Sequence, residues 1–557
     1  MSETGLNDRR KWLALGVLGL ALAITVLDVT VVNVTIPAIQ RDLNATLRDV
    51  EWISALYALV YGAFILPWGK LSDQHGRRRV FIGGVILFVG GSLLVGVAPS
   101  VGVLLVGRLI QGFGAAMAAP STLSILSATF TGRARGVAFG IWGATAGAAG
   151  ALGPLLGGYL TTYATWRWAF LINVPIGVVA VVGALLVVPE SRDPQARGRL
   201  DGLGVLWSAL GLGALIFGLI EGQTYGWLRA GETFAIGGVS WPFHAVAITP
   251  VAFAVAVVAL AAFVVHELRL ERAGGVPLFP LTLFRHHSFR YGLITATIVT
   301  LGEFGVLLIF SIYLQVVRGL SAFHTGLLFL PFSFAIFFTA PLAGLLATRF
   351  GPKWVVTAGM TGEALGIFLL GRITRTGTPF TAYIPIFILY GAAVGLTIAQ
   401  LTNTVLSDIP RRFAGVGSGA NNTARQVGAA IGIAVLVAVF AAQLASSGQA
   451  ALARSRAVPA SVKPAIAAAL NRGVSAGEQQ QLPAGTQRTP AGHAIAGIFD
   501  DAIAHGTRSA ANVAAAFVFV GALSSLLIPN IPLQETAEAD AGAGEEAEDV
   551  EGAVFTG

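Results

Sequence analysis

The stretch GKLSDQHGRRRVF, residues 69–81, is a short basic loop between two long apolar segments. It carries Lys70, Arg77, Arg78 and Arg79. Positively charged residues in short connections resist transfer across a membrane, so this loop is expected to stay on the cytoplasmic side. The sequence therefore predicts a membrane protein whose orientation is set by this loop.

The same loop contains residues that suggest a role beyond keeping the loop on the cytoplasmic side. Gly69 and Gly76 flank its centre, and glycine permits a sharp turn. Asp73 is placed where its carboxylate could cap a helix or pair with Arg77 or Arg78. From these residues alone, a simple anchor loop and a moving latch both remain open.

The composition indicates that the chain belongs in lipid. Of its 557 residues, 55% are hydrophobic and 11% are charged, too few charges to cover a soluble protein of this size. Apolar runs of about 20 residues recur along the chain, the length of a helix that crosses a membrane. We therefore expect an all-α membrane protein with fourteen transmembrane helices. The predicted spans are 12–38, 50–71, 80–98, 101–127, 136–162, 168–189, 202–222, 244–267, 288–316, 321–347, 354–373, 381–407, 415–445 and 509–529.

The basic residues follow the pattern of a membrane topology. The net charge is +7, but the basic residues are spread over alternate loops and form no single patch, so no nucleic-acid partner is expected. Their excess in the even-numbered connections places both termini of this multi-pass protein in the cytoplasm. The expected location is a bacterial inner membrane. The chain has no cysteine, which excludes disulfides and thiolate metal sites.

Connection length and charge divide the chain into five parts. These are an N-terminal six-helix bundle (1–190), an additional helix pair (199–268), a cytoplasmic linker (269–290), a C-terminal six-helix bundle (291–530) and a disordered acidic tail (531–557). The C-terminal bundle carries an extracytoplasmic insertion at about 446–508, which could contain a short amphipathic helix.

An internal repeat supports the division into two bundles. GLLATRFGPKWV (344–355) is similar to GKLSDQHGRRRV (69–80) at an offset of 275 residues. The same offset pairs Asp28 with Glu303, an acidic residue in span 9. Parallel repeats of this kind are typical of transporters built from two related halves.

Ionisable side chains inside the spans are candidate functional residues, because each costs about 2.5–3.5 kcal/mol at the bilayer centre. Asp28 lies near the middle of span 1, and Arg108 lies in span 4. An ion pair between them could simply hold two helices together, or Asp28 could carry a proton. Glu303 and Glu363 also lie in mid-span, and either could be a second titrating site.

Polar and aromatic residues within the spans predict a cavity. Four polar residues in span 13 are expected to face water or the opposite bundle, and the tyrosines of span 2 could line the cavity or pack against neighbours. The candidate cavity residues are Asn33, Tyr57, Tyr61, Gln111, Asn403, Asn421, Asn422, Arg425 and Gln426.

Five motifs, which follow one another along the chain, resemble those of a known family. They are LDVTVVNVTIP (27–37), GKLSDQHGRRR (69–79), RLIQGFGAA (108–116), GPLLGG (153–158) and WRWAFLINVPIG (166–177). In this order they resemble the drug:H⁺ antiporter branch of the major facilitator superfamily that has fourteen spans. The resemblance implies two pseudo-symmetric six-helix bundles plus two additional central helices.

The resemblance also implies a function. It implies a monomeric exporter of lipophilic or cationic drugs that has no cofactor and is driven by the proton gradient. The implied proton-coupling residues are Asp28, Arg108, Glu303 and Glu363. The implied latch of the outward-facing state is formed by Gly69, Asp73, Gly76, Arg77 and Arg78. The implied antiporter hinge is formed by Gly150, Gly153, Pro154, Gly157 and Gly158.

The same residues bear on other classes of function. An ATP-driven pump is disfavoured because GAFILPWGKL (62–71) lacks the spacing of a phosphate-binding loop and ends in Leu71. The sequence likewise lacks the motifs of a hydrolase or zinc protease, so no enzyme is expected. An exporter of an endogenous lipid or metabolite on the same fold stays open, as does a non-transporting membrane sensor.

Overall fold

The computed structural model describes residues 8–45, 47–192, 201–229, 234–236, 239–243, 246–410, 413–472 and 489–529. In these residues all the long elements are α-helices. One short hairpin, with two residues in each strand, pairs Ala235 with Ser240. The helices are α1 Asp8–Leu43, α2 Leu47–His75, α3 Arg77–Gly96, α4 Val101–Thr129, α5 Gly132–Tyr163, α6 Trp168–Leu171, α7 Asn173–Val187, α8 Gly202–Tyr225, α9 Ile248–Arg272, α10 His287–Val316, α11 Ala322–Phe350, α12 Pro352–Ile373, α13 Tyr383–Ser407, α14 Ala414–Arg454, α15 Lys463–Arg472 and α16 Pro490–Ser525; the hairpin strands are β1 Ala235–Ile236 and β2 Val239–Ser240.

The predicted spans correspond to these helices, and the all-α expectation is confirmed. Thirteen stretches in the described part are long and apolar enough to cross a membrane. The second predicted span falls on α2, a helix of 29 residues. The sixth falls on α6 and α7 together, which are separated at Ile172. Pro175 lies just after this break, and proline has no N–H to donate to the preceding turn.

The two halves of the chain meet where glycines bring helix backbones together. A β-carbon added at Gly69 in α2 would lie 2.5 Å from the carbonyl oxygen of Gly415 in α14. One added at Gly140 in α5 would overlap the carbonyl of Ala340 in α11. At both points only glycine allows the observed approach.

The internal repeat is visible as a repeated backbone turn. Gly76 precedes α3 with φ 103° and ψ 121°, and Gly351 precedes α12 with φ 83° and ψ 149°. These positive φ angles favour glycine strongly over other residues. The two glycines are 275 residues apart, so the sequence repeat corresponds to the same turn in each half.

The additional helix pair, α8 and α9, packs against the first half. Ile216 of α8 lies against Gly62 of α2, where an added β-carbon would overlap it. Gly211 allows α8 to approach Leu260 of α9 in the same way. α8 and α9 therefore pack against each other, and α8 also packs against α2.

The region predicted as an insertion at 446–508 is partly made of continued helices. α14 extends to Arg454 and α16 begins at Pro490. The 41 residues of α14 measure about 60 Å, roughly twice the hydrocarbon thickness of a bilayer. α15 lies where the amphipathic helix was predicted, and its Leu470 contacts Gly448. The predicted acidic tail, 531–557, lies outside the described residues.

Substituting Gly69→Ala should destabilise the contact between α2 and α14. The new methyl group has no space beside the Gly415 carbonyl, so we expect a loss of about 1–3 kcal/mol, measured by unfolding in detergent. Gly16→Ala is the matched control, because nothing lies within 4 Å of its β-carbon position, and it should change stability by less than about 0.5 kcal/mol. Equal effects of the two substitutions would contradict the assigned contact.

Candidate functional site

Asp28 is the centre of a buried polar cluster in the first half. Its carboxylate is only 1% exposed and pairs with Arg108 Nη1. Gln111 Nε2 donates a hydrogen bond to Asp28 Oδ1 at 2.8 Å, and Asn173 Nδ2 donates to the same oxygen at 3.3 Å. Both oxygens of Asp28 therefore accept hydrogen bonds from α4 or α7 within one bundle.

Arg108 is held as closely as its partner. Its Nε donates to the carbonyl of Ile53 in α2 at 2.8 Å, and its Nη1 donates to Gln111 Oε1 at 3.0 Å. Its guanidinium carbon lies 4.6 Å from the ring centroid of Tyr57. The pair therefore neutralises two buried charges and joins α1, α2 and α4.

Two members of this cluster, Ser92 and Asn173, were not among the predicted site residues. Gln111 Nε2 also donates to Ser92 Oγ at 2.7 Å, and Asn173 Nδ2 donates to the same hydroxyl at 3.2 Å. Asn173 is an amide in the quoted motif WRWAFLINVPIG, so a signal for it existed. Ser92 carried no such signal, because a serine within an apolar span is commonly satisfied by its own helix.

The second half contains an acidic cluster of a different kind. Glu303 of α10 is 7% exposed and Glu363 of α12 is 1% exposed. Their charges are close enough to interact with each other and with Arg425 of α14. One carboxylate oxygen of each glutamate is buried without a hydrogen-bond partner. The structure thus brings three predicted residues together in a cluster whose acids outnumber its arginine.

The tyrosines of α2 lie between the two clusters. The rings of Tyr57 and Tyr61 stack with centroids 6.0 Å apart. Tyr57 contacts Arg108, and Tyr61 lies within electrostatic range of Arg425. These two residues therefore face the centre of the molecule instead of the surrounding lipid.

The remaining predicted cavity residues are divided between buried and half-buried positions. Asn403 and Asn421 are buried, and both side-chain polar atoms of Asn421 lack a hydrogen-bond partner. Asn422 donates to the carbonyl of Ser418 at 3.0 Å, while Gln426 is half-buried. The side chain of Asn33 lies outside the described residues.

The glycines of α5 pack mainly against the helix that carries Asp28. A β-carbon at Gly153 would overlap Thr30, and one at Gly157 would lie 3.2 Å from Val31 Cγ1. Gly150 also faces α1, whereas Gly158 faces α11. The side chain of the predicted hinge residue Pro154 lies outside the described residues. α5 therefore touches α1 next to Asp28 and α11 in the other half.

Asp73 joins the two halves at the end of the bundle that carries the basic loop. Its carboxylate accepts hydrogen bonds from the backbone N–H of Gly415 at 2.9 Å and of Val416 at 3.3 Å. These N–H groups begin α14, where the backbone donors have no partner within the helix and the helix dipole is positive. Arg77 Nη2 lies 2.8 Å from Asp73 Oδ1.

Arg78 differs from Asp73, because the hydrogen bonds described for Arg78 are made to residues of the first half. Its backbone N–H donates to Glu190 Oε1 at 3.1 Å, and its Nη1 donates to the carbonyl of Val188 at 3.2 Å. Gly76 also lies against Glu190, which leaves no room for a side chain there. Glu190 was not predicted, although it is a carboxylate directly after span 6.

Burial raises the pKa of Asp73 to about 6, because the loss of hydration outweighs Arg77 and the two backbone donors. At the other end of the bundle, hydrogen bonds from Trp166 and Arg167 lower the pKa of Asp42. The two ends of the first half therefore hold acids whose pKa values are displaced in opposite directions.

Two helical halves with buried charge clusters and hydrogen bonds between the halves at Asp73 are the architecture of a multi-pass membrane transporter. The chain belongs to the Major Facilitator Superfamily, whose family description matches residues 18–433. It is therefore a transporter and not an enzyme.

Named relatives and solved structures agree with this assignment. The chain is 31% identical to the "Tetracenomycin C resistance and export protein" of Streptomyces glaucescens over 78% of this chain and 77% of that protein. It is 34% identical to the "Multidrug resistance protein Stp" of Mycobacterium tuberculosis (strain CDC 1551 / Oshkosh) over 81% of this chain and 80% of that protein. The proton:xylose symporter XylE has the same fold, with a TM-score of 0.53 and 16% identity over 76% of this chain and 87% of that one.

Substituting Arg108→Ala should leave Asp28 as an unpaired buried charge. We expect a loss of about 3–5 kcal/mol in unfolding free energy, partly recovered when Asp28→Asn is added. Arg167→Ala is the control, because its pair with Asp42 is partly exposed to solvent and should contribute no more than about 1 kcal/mol. If both arginine substitutions had the same small effect, Asp28 and Arg108 would not form the buried pair described.

Substituting Asp73→Asn should change how stability depends on pH. The carboxyl group binds its proton more tightly in the folded protein than in the unfolded chain, so its contribution is complete below about pH 4 and lost as the pH rises through about 6. The difference between wild type and Asp73→Asn, measured by thermal unfolding, should follow this course.

Asp42→Asn is the matched control for that experiment, because the lowered pKa of Asp42 has the opposite sign. Its contribution should be lost as the pH falls. A difference between wild type and Asp73→Asn that does not vary between about pH 4 and 7 would contradict the assignment of Asp73.

Proposed function

We propose that this chain exports lipophilic or cationic drugs in exchange for protons, by alternating access between its two halves. The observation that carries the proposal is the buried Asp28–Arg108 pair inside a member of a transporter family. Relatives over most of the chain are named for tetracenomycin C export and multidrug resistance, which supports a drug as the substrate.

In the proposed cycle Asp28 is the proton-binding residue, and its ionised form is held by Arg108, Gln111 and Asn173. Protonation would remove its attraction for Arg108 and leave the guanidinium to its bonds with Ile53 and Gln111. α5 touches α1 beside Asp28 and also contacts α11, so a shift of α1 would reach the interface between the halves. A gradient of one pH unit supplies about 1.4 kcal/mol per proton, and 100 mV supplies about 2.3 kcal/mol per charge.

The halves are joined at the end that carries the basic loop. Besides Asp73, Arg135 Nη2 donates to the carbonyl of Leu406 at 2.9 Å, and Ser418 Oγ donates to the carbonyl of Pro120 at 3.0 Å. We assign this end to the cytoplasm, from the distribution of basic residues. On that orientation the described state is closed toward the cytoplasm, and substrate would leave from the opposite side.

The cycle would then run in two steps. Protons from outside neutralise Asp28 and the Glu303–Glu363 cluster, and the drug is released outside. After the halves change orientation, loss of the protons to the cytoplasm restores the charges that attract the next substrate. Glu303 and Glu363 favour a cationic group, since the two acids face a single nearby arginine.

The proposal is tested by ethidium transport in proteoliposomes under an imposed pH gradient. Wild type should move ethidium only with the gradient, and Asp28→Asn should abolish this dependence because its amide cannot release a proton. Asp42→Asn is the matched control, since it changes an exposed acid on the same helix and should leave transport unchanged.

Labelled phospholipid in the same vesicles distinguishes the alternative substrate. Gradient-driven lipid movement without ethidium movement would make the protein a lipid exporter. Ethidium transport that is unchanged in Asp28→Asn would overturn the assigned proton site.

A further inference from the structure

The additional helix pair contains titratable groups that the proposed transport cycle does not use. Asp201 lies directly before α8, and His266 and Glu267 lie near the end of α9. Glu267 is fully buried, and the side chain of Asp201 is only 7% exposed. These groups lie where α9 leads into the linker before α10.

Asp201 is held in its ionised form. Its Oδ1 accepts hydrogen bonds from the backbone N–H of Gly204 at 2.9 Å and from His266 Nε2 at 2.8 Å. Burial acts to raise the pKa of Asp201, but Gly204 and His266 outweigh it and hold that pKa below the usual range. One oxygen of this carboxylate is thus satisfied by two donors.

The second oxygen of Asp201 faces Glu267. A β-carbon added at Gly204 would overlap both Asp201 Oδ2 and Glu267 Oε1, so the two oxygens face the same small space. Both are buried and accept no hydrogen bond from another donor. The two side chains are nevertheless close enough to hydrogen-bond each other. Two ionised carboxylates in this position would repel, whereas one proton between them satisfies both oxygens.

We propose that Glu267 carries a proton in the folded protein and donates it from Oε1 to Asp201 Oδ2, which makes this junction a separate proton-binding site. The proton belongs to Glu267 because the donors to Asp201 favour its ionised form. Glu267 Oε2 remains an acceptor for the backbone N–H of Phe279 at 3.1 Å. A single proton therefore joins α8, α9 and the linker.

This site is connected to the second half through the linker. The ring of Phe279 lies 6.3 Å from that of Phe289 in α10, and Phe284 lies 5.6 Å from each of them. Loss of the proton would place two negative charges side by side at the root of this aromatic cluster. The attachment of the helix pair to α10 should therefore weaken as the pH rises on that face of the membrane.

The charged groups around the junction come from each neighbouring element. Asp201 faces Glu267 from the start of α8, and the linker contributes a backbone donor. Glu271 of α9 accepts a separate bond from Thr282 N at 3.3 Å. The other charged or titratable residues on α9, the linker and the start of α10 are His266, Arg269, Arg272, Arg285, His286, His287 and Arg290.

Glu267→Gln tests the proposal, because its amide can donate permanently to Asp201 while its oxygen still accepts from Phe279. We expect the wild type to lose stability relative to Glu267→Gln as the pH rises from about 4 to about 8, measured by unfolding of the full chain in detergent. The difference should correspond to one proton: the folding equilibrium should change about tenfold per pH unit while the folded protein keeps the proton and the unfolded chain has lost it, and the difference should level off once the folded protein loses the proton as well.

Glu271→Gln is the matched control. It lies one turn further along α9, holds the linker through Thr282 and is only half-buried, so its pH profile should parallel that of the wild type. Infrared spectra at neutral pH should show a protonated carboxylic acid band that is lost in Glu267→Gln and kept in Glu271→Gln. A Glu267→Gln profile parallel to the wild type, or an unchanged acid band, would overturn the proposal.

Asp201→Asn keeps the test decisive if Glu267→Gln does not fold. Its amide can donate to an ionised Glu267, so both the alkaline loss of stability and the acid band should disappear. Persistence of both would show that the proton is not shared with Asp201. These measurements do not involve transport, so they stand whether or not the chain exports drugs.

Discussion

A charge buried among membrane helices must be neutralised where it lies, and the first half of this protein is arranged around that constraint. Asp28 and Arg108 are each about 1% exposed, and neither could remain ionised there alone. Gln111 and Asn173 complete the set of bonds to Asp28. The same bonds that allow the charges to exist also hold the bundle together.

The two halves solve the problem of buried acid differently. In the first half each oxygen of Asp28 has a donor, whereas Glu303 and Glu363 in the second half keep unpartnered oxygens beside Arg425. The carboxylate of Asp28 is thus satisfied where it lies, whereas each glutamate keeps one oxygen that could accept a further hydrogen bond. This asymmetry fits a transporter whose two halves have unequal tasks. Another buried acid, Glu267, lies outside both clusters.

Close helix packing is the second constraint, and it depends on glycine. Gly69 and Gly140 bring backbones of opposite halves together, and Gly153 brings α5 against the helix that carries Asp28. Contacts of this kind have little attraction from burial in lipid, so they depend on fit.

Hydrophobic run length and the placement of basic residues were sufficient to predict the helices, because a membrane span has a fixed length and a simple composition. The internal repeat and the acidic residues in the spans were also readable as sequence. What the sequence could not supply was partners: Ser92 beside Gln111, Glu190 beside Arg78, and the buried position of Glu267. The sequence by itself thus determined the fold class and the positions of the few charged residues within the spans. Only the tertiary structure decided which charges are satisfied, because that depends on donors from helices far apart in the chain.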